Sequence, residues 1–200
     1  MDMEKFNAEL SAFFRDLYED EKKVFVFGEG KHGAKVMMIG EAPGEQESLQ
    51  GSPFVGKAGK NLDGFLQEAN LKRSELYVTN AVKFRPTRIS ESGRVVNRPP
   101  TQEEIKLFLP WLLREIEMVN PRCIVTLGNV PLKALVDRKS TIGDLHGQWI
   151  SWNGRLLFPL YHPASVIYNP SIRTVYQEDI LKFADWHRSQ IHESDENKNN

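Results

Sequence analysis

Cysteine is nearly absent from this sequence, which has one, Cys123, among 200 residues. A single thiol cannot form a disulfide within the chain or build a thiolate metal cluster, so neither can stabilise the fold. The surrounding segment Cys-Ile-Val-Thr-Leu-Gly is apolar. Because free cysteine behaves as a small hydrophobic residue, we expect Cys123 to be a buried core side chain.

Long apolar runs and a surplus of one charge are also missing. No stretch reaches the length of a membrane span, and the first residues lack the basic start and apolar middle of a signal peptide. Lys and Arg number 26 and Asp and Glu number 27, which gives a net charge of −1. A protein that coats nucleic acid by overall charge is therefore excluded, and DNA binding would need a local patch. We expect a cytoplasmic protein with no membrane partner.

Internal repeats and low-complexity linkers are absent as well. A chain of 200 residues with 40% apolar composition can bury one sizeable core, so residues 1–191 are expected to form one domain. Residues 192–200 are polar and charged and have nothing to bury, which predicts a disordered tail. A monomer is the expected state.

Short apolar runs and helical patterns alternate along the chain. Four runs have the length and composition of buried strands, at residues 35–39, 76–82, 123–127 and 155–161. Apolar residues recur at helical spacing over residues 6–17, 62–69 and 105–116. This alternation implies right-handed crossovers and helices on both faces of the sheet. The predicted fold is a three-layer α/β/α sandwich with a central four-stranded, mainly parallel sheet.

Helix boundaries are predicted from capping signals. Thr101 and Glu104 fit a capping box at the start of the third helix, and Thr174 and Gln177 fit another at the start of the last one. Pro110 is expected to kink the third helix, because proline removes a backbone donor.

Ligands of such sheets bind beyond the carboxyl ends of the strands, which directs attention to four loops. None of them carries a phosphate-binding loop, Gly28-Glu-Gly30 lacks the rest of a dinucleotide fingerprint, and no spacing supports a metal site. The loops offer carboxylates, an aromatic ring, an amide and an imidazole. This set suits a planar heterocycle that is stacked on a ring, hydrogen-bonded along its edge and stabilised as a leaving anion. Enzymes that extrude a nucleobase from DNA hold it in this way.

Several linked motifs resemble the uracil-DNA glycosylase superfamily, and the bacterial and archaeal family 4 enzymes in particular. They lie in the segments 40–47, 51–59, 79–86 and 162–165, which read Gly-Glu-Ala-Pro-Gly-Glu-Gln-Glu, Gly-Ser-Pro-Phe-Val-Gly-Lys-Ala-Gly, Thr-Asn-Ala-Val-Lys-Phe-Arg-Pro and His-Pro-Ala-Ser. The resemblance covers roughly residues 24–185. It implies hydrolysis of the bond between uracil and deoxyribose, with uracil-containing DNA as the partner.

The resemblance also shows a departure. The resemblance to family 4 implies an iron–sulfur cluster bound by four cysteines. This sequence instead has aromatic residues at the corresponding positions, including Phe84 and Phe108. Such a cluster requires thiolates, so we expect no metal and no cofactor. Phenylalanine packing is expected to do the structural work of the cluster, since burying one ring contributes about 1.5–3 kcal/mol.

The resemblance assigns roles to residues around the base. His162 would hydrogen-bond uracil and stabilise its anion, Asn80 would bind the base edge, and Phe54 would stack on the ring. Glu41, followed by Glu47, is the candidate for orienting water or stabilising the sugar cation. Gly40 and Ala42 flank Glu41 and complete the substrate-binding set; other branches of the superfamily place a water-positioning aspartate where Ala42 stands.

The DNA-binding candidates lie beside these loops. Amides at the start of the helix after Gly128 could take a phosphate, and so could nearby lysine and serine side chains. The full set is Lys57, Lys60, Gly128, Asn129 and Ser165. Apolar residues within 164–168 are expected to push into the base stack. For the arginine-bearing segment 85–98, contact with the DNA backbone and a mobile solvated loop are both open.

Three alternatives remain beside the glycosylase. One keeps the fold and changes the base, for example to hypoxanthine or xanthine. Another is a DNA-binding member that no longer cleaves, since the cluster and the aspartate are missing; against it stand His162, Glu41 and Asn80, which exceed what binding needs. A small-molecule enzyme would need a phosphate or cofactor motif that the sequence lacks.

Overall fold

The computed structural model describes residues 2–18, 23–31 and 33–196, with only the backbone of the last six. These residues form eight strands: β1 (Glu29–Gly30), β2 (Val36–Gly40), β3 (Tyr77–Asn80), β4 (Thr87–Ile89), β5 (Val95–Asn97), β6 (Cys123–Leu127), β7 (Ile150–Trp152) and β8 (Arg155–Leu160). The described part of the chain also contains eight α-helices: α1 (Met3–Leu17), α2 (Glu45–Gln50), α3 (Lys57–Glu68), α4 (Gln102–Val119), α5 (Asn129–Leu135), α6 (Ile142–Leu145), α7 (Ser165–Tyr168) and α8 (Arg173–Glu196).

The main sheet has six strands in the order β1-β3-β2-β6-β8-β7. Its four central strands are the four that the sequence predicted, and they are parallel to one another. The predicted α/β class with a mainly parallel sheet is therefore confirmed, whereas the strand count is corrected from four to six. The two edge strands are antiparallel to their neighbours and only two and three residues long, too short to give an apolar run.

One missed edge strand had a local signal in the sequence. β7 and β8 are joined by Asn153 and Gly154, which both have positive φ angles, 46° and 77°. Asn-Gly at the two central positions of a hairpin turn is the preferred sequence for such a geometry. The dipeptide therefore predicts a hairpin that apolar content alone does not reveal.

Burial on both faces explains why the central strands are continuously apolar. In β2, Val36 and Met38 belong to a cluster with α3 and α8, while Met37 and Ile39 belong to a cluster with α4 and α5. Successive side chains of a strand point to opposite faces, so each face of the sheet needs its own helical layer. This arrangement is the three-layer sandwich. Cys123 belongs to the same core and is fully buried, as expected.

A third cluster packs α1 against α4 beside the main sheet. Its buried members are Phe6, Leu10, Phe14, Val82, Phe84 and Phe108. The rings of Phe14 and Phe108 stack with centroids 4.0 Å apart, and Phe84 lies 5.7 Å from Phe108. Phe13 and Leu17, which the helical pattern placed on the same face, are about half exposed, so the buried stripe of α1 is narrower than predicted.

The capping signals were right at one helix and wrong at another. The Thr101–Glu104 capping box is formed as predicted, and α4 contains Pro110 within its length. The last helix begins at Arg173, directly after a 3₁₀ turn capped by Asn169, so Thr174 is already inside it. α8 has helical backbone to Glu196, which overlaps the tail predicted at 192–200, and residues 197–200 lie outside the described residues. Within the described part of the chain, no helix is long and apolar enough to cross a bilayer.

The arginine-bearing segment 85–98 contains a second, two-stranded sheet formed by β4 and β5. The pairing runs from Thr87–Asn97 to Ile89–Val95. The turn is closed by hydrogen bonds between Ser90 and Arg94. This segment is a hydrogen-bonded hairpin rather than an irregular loop.

Candidate functional site

The candidate site lies where the parallel strands end. Gly40 is the last residue of β2 and pairs in register with Asn80, the last residue of β3. β6 and β8 end beside each other, and Gly128 and His162 follow them. Because all four strands run in one direction, the four loops predicted from the sequence meet at the carboxyl-terminal ends of the strands.

The side chains that the sequence assigned to base binding are close together there. A Cβ atom on Gly40 would overlap both the Phe54 ring and the Asn80 amide oxygen, so both side chains lie against the Gly40 backbone. The ring centroids of Phe54 and His162 are 6.1 Å apart. A Cβ on Gly128 would lie 3.1 Å from the Cβ of His162. Amide, phenyl ring and imidazole therefore surround one location.

Phe54 is held in an unusual backbone conformation. Its φ is 54°, in the left-handed region that a bulky residue adopts only when surrounding contacts impose it. The guanidinium of Arg73 donates to the carbonyls of Pro53 and Phe54 at 2.7 and 3.0 Å. Any Cβ at position 59 would overlap the Phe54 carbonyl, so the second glycine of Gly-Lys-Ala-Gly permits α3 to pack against this loop.

Glu47 connects two loops of the site through backbone hydrogen bonds. One carboxylate oxygen accepts from the N–H groups of Val55 and Gly56 at 3.0 and 2.7 Å, and the other accepts from Gly44 at 3.1 Å. The side chain is buried. These bonds tie the segment that follows Phe54 to the start of α2. A carboxylate engaged by three N–H donors is suited to positioning this loop.

Replacing Glu47 by glutamine is expected to lower the free energy of unfolding by about 1.5–3 kcal/mol, because hydrogen bonds to a charged acceptor are lost and one oxygen becomes an NH₂ group facing backbone N–H donors. Urea unfolding measures the change. Glu45→Gln is the matched control: it lies two residues earlier in α2, its side chain is 61% exposed, and its contact with Arg85 is 3.3 Å long. That control should change stability by less than about 0.5 kcal/mol. Equal effects of the two substitutions would contradict the proposed anchoring.

His162 is positioned to act as a neutral hydrogen-bond donor. Its Nδ1 accepts from the backbone N–H of Ala164 at 3.2 Å, which leaves the ring proton on Nε2. Burial lowers the pKa of His162 to about 4, with an opposing influence from the negative charge of Glu47. The loop carrying His162 is held in place by Asn61, whose amide donates to the Pro163 carbonyl at 2.8 Å.

The backbone carbonyl of Asn80 is hydrogen-bonded to a buried ion pair that could not be predicted from the sequence. Lys83 Nζ donates to the Asn80 carbonyl at 2.8 Å and to Glu115 at 2.6 Å, and both side chains of this pair are 1% exposed. Thr79 and Tyr77 donate to the other Glu115 oxygen at 3.1 and 3.0 Å. The side-chain amide of Asn80 makes no hydrogen bond within the described residues, so it remains available to a ligand.

Glu41 follows Gly40 directly and is partly buried. Burial raises the pKa of its carboxyl group, and that group makes no hydrogen bond within the part of the chain described here. It thus differs from Glu47, whose oxygens are occupied. Ala42 packs against the aromatic cluster of α1 and α4 and offers no polar group.

The phosphate-binding candidates divide into available and occupied groups. Lys57 and Lys60 are exposed on the first turn of α3. The N–H of Gly128 donates to the Leu160 carbonyl at 2.8 Å, which corrects the expectation that it is free. The Asn129 side-chain oxygen accepts from the N–H of Ile142 at 2.9 Å, so it fixes α6 in place. Ser165 begins α7, and its N–H donates to the His162 carbonyl.

Several residues that shape the site carried no usable signal in the sequence. Arg73, Asn61 and Glu115 act on the loops from 19 or more positions away, so no local pattern connects them to the site. The described residues contain no group of three or more His, Cys, Asp or Glu side chains that could hold a metal ion.

Comparison with a solved structure supports the fold. The crystal structure of Pedobacter heparinus SMUG2 superposes with a TM-score of 0.55 at 14% identity, over 94% of this chain and 85% of that one. At this identity the likeness concerns the fold alone. The α/β architecture is shared.

Sequence comparison identifies the family. The chain is 41% identical over 170 residues to the type-4 uracil-DNA glycosylase of Saccharolobus solfataricus, covering 80% of this chain and 75% of that protein. It is 34% identical over 193 residues to the type-4 uracil-DNA glycosylase of Pyrobaculum aerophilum, covering 92% of this chain and 93% of that protein. The family model of the uracil DNA glycosylase superfamily matches residues 27–184. With relatives this similar over most of its length, the chain belongs to the uracil-DNA glycosylase superfamily.

Proposed function

We propose that this protein is a monofunctional uracil-DNA glycosylase, which hydrolyses the N-glycosidic bond between uracil and deoxyribose in DNA. The single observation that carries the proposal is the convergence of Phe54, Asn80 and the imidazole ring of His162 on one location. The side-chain amide of Asn80 and the Nε2–H of His162 have no hydrogen-bond partner among the described residues. The relatives of the chain are named as enzymes with this activity.

The first requirement of the reaction is to stabilise the departing base. Cleavage places negative charge on uracil and positive charge on the sugar, as in other reactions with an oxocarbenium-like transition state. We assign His162 to the base: its Nε2–H donates to the uracil oxygen on which charge develops. A neutral imidazole suits this role, since its proton stays on the protein while the hydrogen bond strengthens.

The second requirement is to hold and recognise the base. Phe54 provides the stacking surface, and its constrained backbone fixes the ring before substrate arrives. The Asn80 amide can donate to a carbonyl oxygen and accept from the ring N–H of uracil. Cytosine presents these groups in reversed order, so the same amide discriminates against it.

The third requirement concerns the sugar cation and the attacking water. Glu41 is assigned to this task, because its carboxyl group has no partner among the described residues and stands at the end of β2. Its raised pKa fits a group placed to accept a proton from water. Glu47 acts through the loops that it joins, and we assign it a positioning role.

Opening of the DNA is assigned to α7, directly after the His162 loop. Tyr168 is 86% exposed and Ile167 is 45% exposed, although both are large and partly or wholly apolar. Such side chains can enter the base stack when a nucleotide leaves it. Lys57 and Lys60 are placed at the first turn of α3 to contact phosphates.

No metal cluster is required by this mechanism, and the donor set of the chain does not fit one. An iron–sulfur cluster of the kind that the family resemblance implies needs four thiolates, and Cys123 is the one cysteine, buried in β6. Phe84 and Phe108, at two of the corresponding positions, are in ring contact and fully buried. We propose that this aromatic cluster provides the packing that ligation provides elsewhere. We also propose that the protein is a cytoplasmic monomer and that residues 1–191 form its single domain.

The decisive experiment is release of free uracil from an oligonucleotide with one deoxyuridine, in buffer with excess chelator. Release at the same rate with and without chelator is expected, since the assigned groups all belong to the chain. Oligonucleotides carrying hypoxanthine or xanthine run in parallel and detect a different base preference. Binding of the duplex without any base release at micromolar enzyme would overturn the assignment as a glycosylase.

The pH dependence of uracil release tests the protonation state of His162. With a pKa of about 4, the imidazole is neutral in the physiological range, so the rate should not change through a titration near 6.5. The rate should fall on the acid side, where His162 gains a proton and Glu41, whose pKa is raised, loses its charge. A rate that rises as the pH drops through about 6.5 would instead identify the imidazolium as the active form.

A further inference from the structure

The hairpin of β4 and β5 has a fixed base. The Arg98 guanidinium donates to both carboxylate oxygens of Glu104 at 2.6 and 2.7 Å, which joins the hairpin to the start of α4. On the other side, Arg85 Nε donates to the Asn97 side-chain oxygen at 2.6 Å. Bidentate arginine–carboxylate pairs fix orientation as well as distance. The base of the hairpin is therefore fixed by hydrogen bonds.

That base borders the candidate site. Arg85 also contacts Glu45 at 3.3 Å, in the first turn of α2. The Asn97 amide nitrogen would lie 3.7 Å from a Cβ on Gly44. Gly44 and Glu45 belong to the segment between Glu41 and Glu47, so the hairpin begins beside the loop that carries the assigned carboxylate.

The two faces of the hairpin differ in chemistry. Directly paired residues share a face, so Ile89 and Val95 lie on the same face as Asn97, two positions along the strand. Both apolar side chains are exposed, at 66% and 55%. A two-stranded hairpin is marginally stable by itself, and apolar side chains that stay exposed do not stabilise it further. The exposed Ile89–Val95 pair therefore indicates a surface that a partner covers.

Two arginines of the hairpin carry charges that are not used inside the protein: Arg88 lies on the opposite face, and Arg94 directly precedes β5. Arg88 and Arg94 are exposed, and neither guanidinium has an ion pair or hydrogen bond among the described residues. Glu91 is the one acidic residue of segment 85–98. Arg85 and Arg98 are thus structural, while the other two present unpaired positive charge on a chain whose net charge is −1.

We propose that the β4–β5 hairpin is a DNA-binding arm, which contacts the sugar–phosphate backbone beside the extruded nucleotide. Arg88 and Arg94 neutralise phosphates, and the Ile89–Val95 pair packs against the apolar faces of deoxyribose. A polyanion is the partner that unpaired arginines next to a nucleotide site complement best. That the polyanion is DNA rests on the proposed function, since the arm borders the glycosylase site.

The test measures DNA affinity as a function of salt. Binding of a labelled duplex with one deoxyuridine, and of the same duplex with thymidine, is followed by fluorescence anisotropy for the wild type and for Arg88→Ala with Arg94→Ala. Each phosphate contact contributes roughly 0.9 to the slope of log Kd against log salt, so the double variant should reduce that slope by about 2. Both duplexes should be affected alike, because phosphate contacts carry no sequence information.

Two further variants serve as controls. Lys72→Ala with Arg122→Ala removes two exposed cations that precede β3 and β6, at the opposite edge of the sheet, and should leave the slope unchanged. Ile89→Thr with Val95→Thr keeps β-branched side chains and should weaken binding without changing the slope. Thermal unfolding of every variant confirms that the fold persists.

The outcomes separate this inference from the proposed function. A slope that Arg88→Ala with Arg94→Ala leaves as in the wild type would overturn the arm, even if the wild type releases uracil. A reduced slope would support it even if no uracil were released, because binding to the thymidine duplex involves no chemistry. Equal losses in both double-cation variants would show a general charge effect and would also overturn the arm.

Discussion

His162→Ala is expected to lower kcat for uracil release by about 10²–10³-fold, the loss seen when one donor to a developing anion is removed. The physical reason is the location of the proton: Nδ1 is occupied by the Ala164 N–H, so Nε2 carries the ring proton and is the donor that we assign to the leaving uracil. Alanine removes that donor and leaves the ring of Phe54 in place. Single-turnover release from a deoxyuridine duplex measures the effect without a contribution from product release.

His162→Gln provides the matched control for this substitution, because its amide N–H can still donate in part. It should recover some of the rate lost in the alanine variant. Duplex affinity should change little in either variant, since the hydrogen bond strengthens mainly in the transition state. A folded and fully active His162→Ala protein would refute the assigned role.

Glu115→Ala is expected to lower the free energy of unfolding by roughly 3–5 kcal/mol, because it leaves the Lys83 ammonium buried without its counter-charge. Lys83 and Glu115 are each 1% exposed and 2.6 Å apart. The alanine variant also removes the acceptor for Tyr77 and Thr79. Urea denaturation with a constant m-value measures the loss.

Glu117→Ala is the control within the same helix. Glu117 is 67% exposed and pairs with Arg155 at 3.0 Å, so its removal should cost less than about 1 kcal/mol. Lys83→Met combined with Glu115→Leu should be more stable than Glu115→Ala, because no charge is then buried unpaired. Similar losses for Glu115→Ala and Glu117→Ala would contradict the buried ion pair.

Much of the fold could be predicted because its signals are local. The apolar runs of β2, β3, β6 and β8 reflect burial on both sheet faces, and they correctly gave the parallel centre. The edge strands escaped, since two or three residues carry no periodicity. The start of α8 was also missed. Thr174 resembles a cap in the sequence, whereas the cap in the structure is Asn169, which begins a 3₁₀ turn directly before the helix.

The candidate site shows a different division. Motif resemblance selected Phe54, Asn80, Glu41 and His162, and the structure brings the first two and His162 together around Gly40 and Gly128. The motif resemblance did not show which of these side chains are already hydrogen-bonded within the protein. The resemblance gave Glu41 and Glu47 the same candidate role, with Glu41 first. Three backbone N–H groups occupy Glu47, whereas no N–H of the described residues bonds to Glu41.

By itself, the sequence determined the four central strands and their alternation with helices, the family, the single cysteine and the kinds of side chain at the ends of those strands. The tertiary structure alone decided which of those side chains remain available to a ligand and that the Gly128 N–H is already bonded. It also placed the buried Lys83–Glu115 pair against Asn80, whose carbonyl accepts from Lys83. The physical reason is that hydrogen-bond satisfaction and burial depend on residues far apart along the chain, whereas periodicity and capping report only on near neighbours.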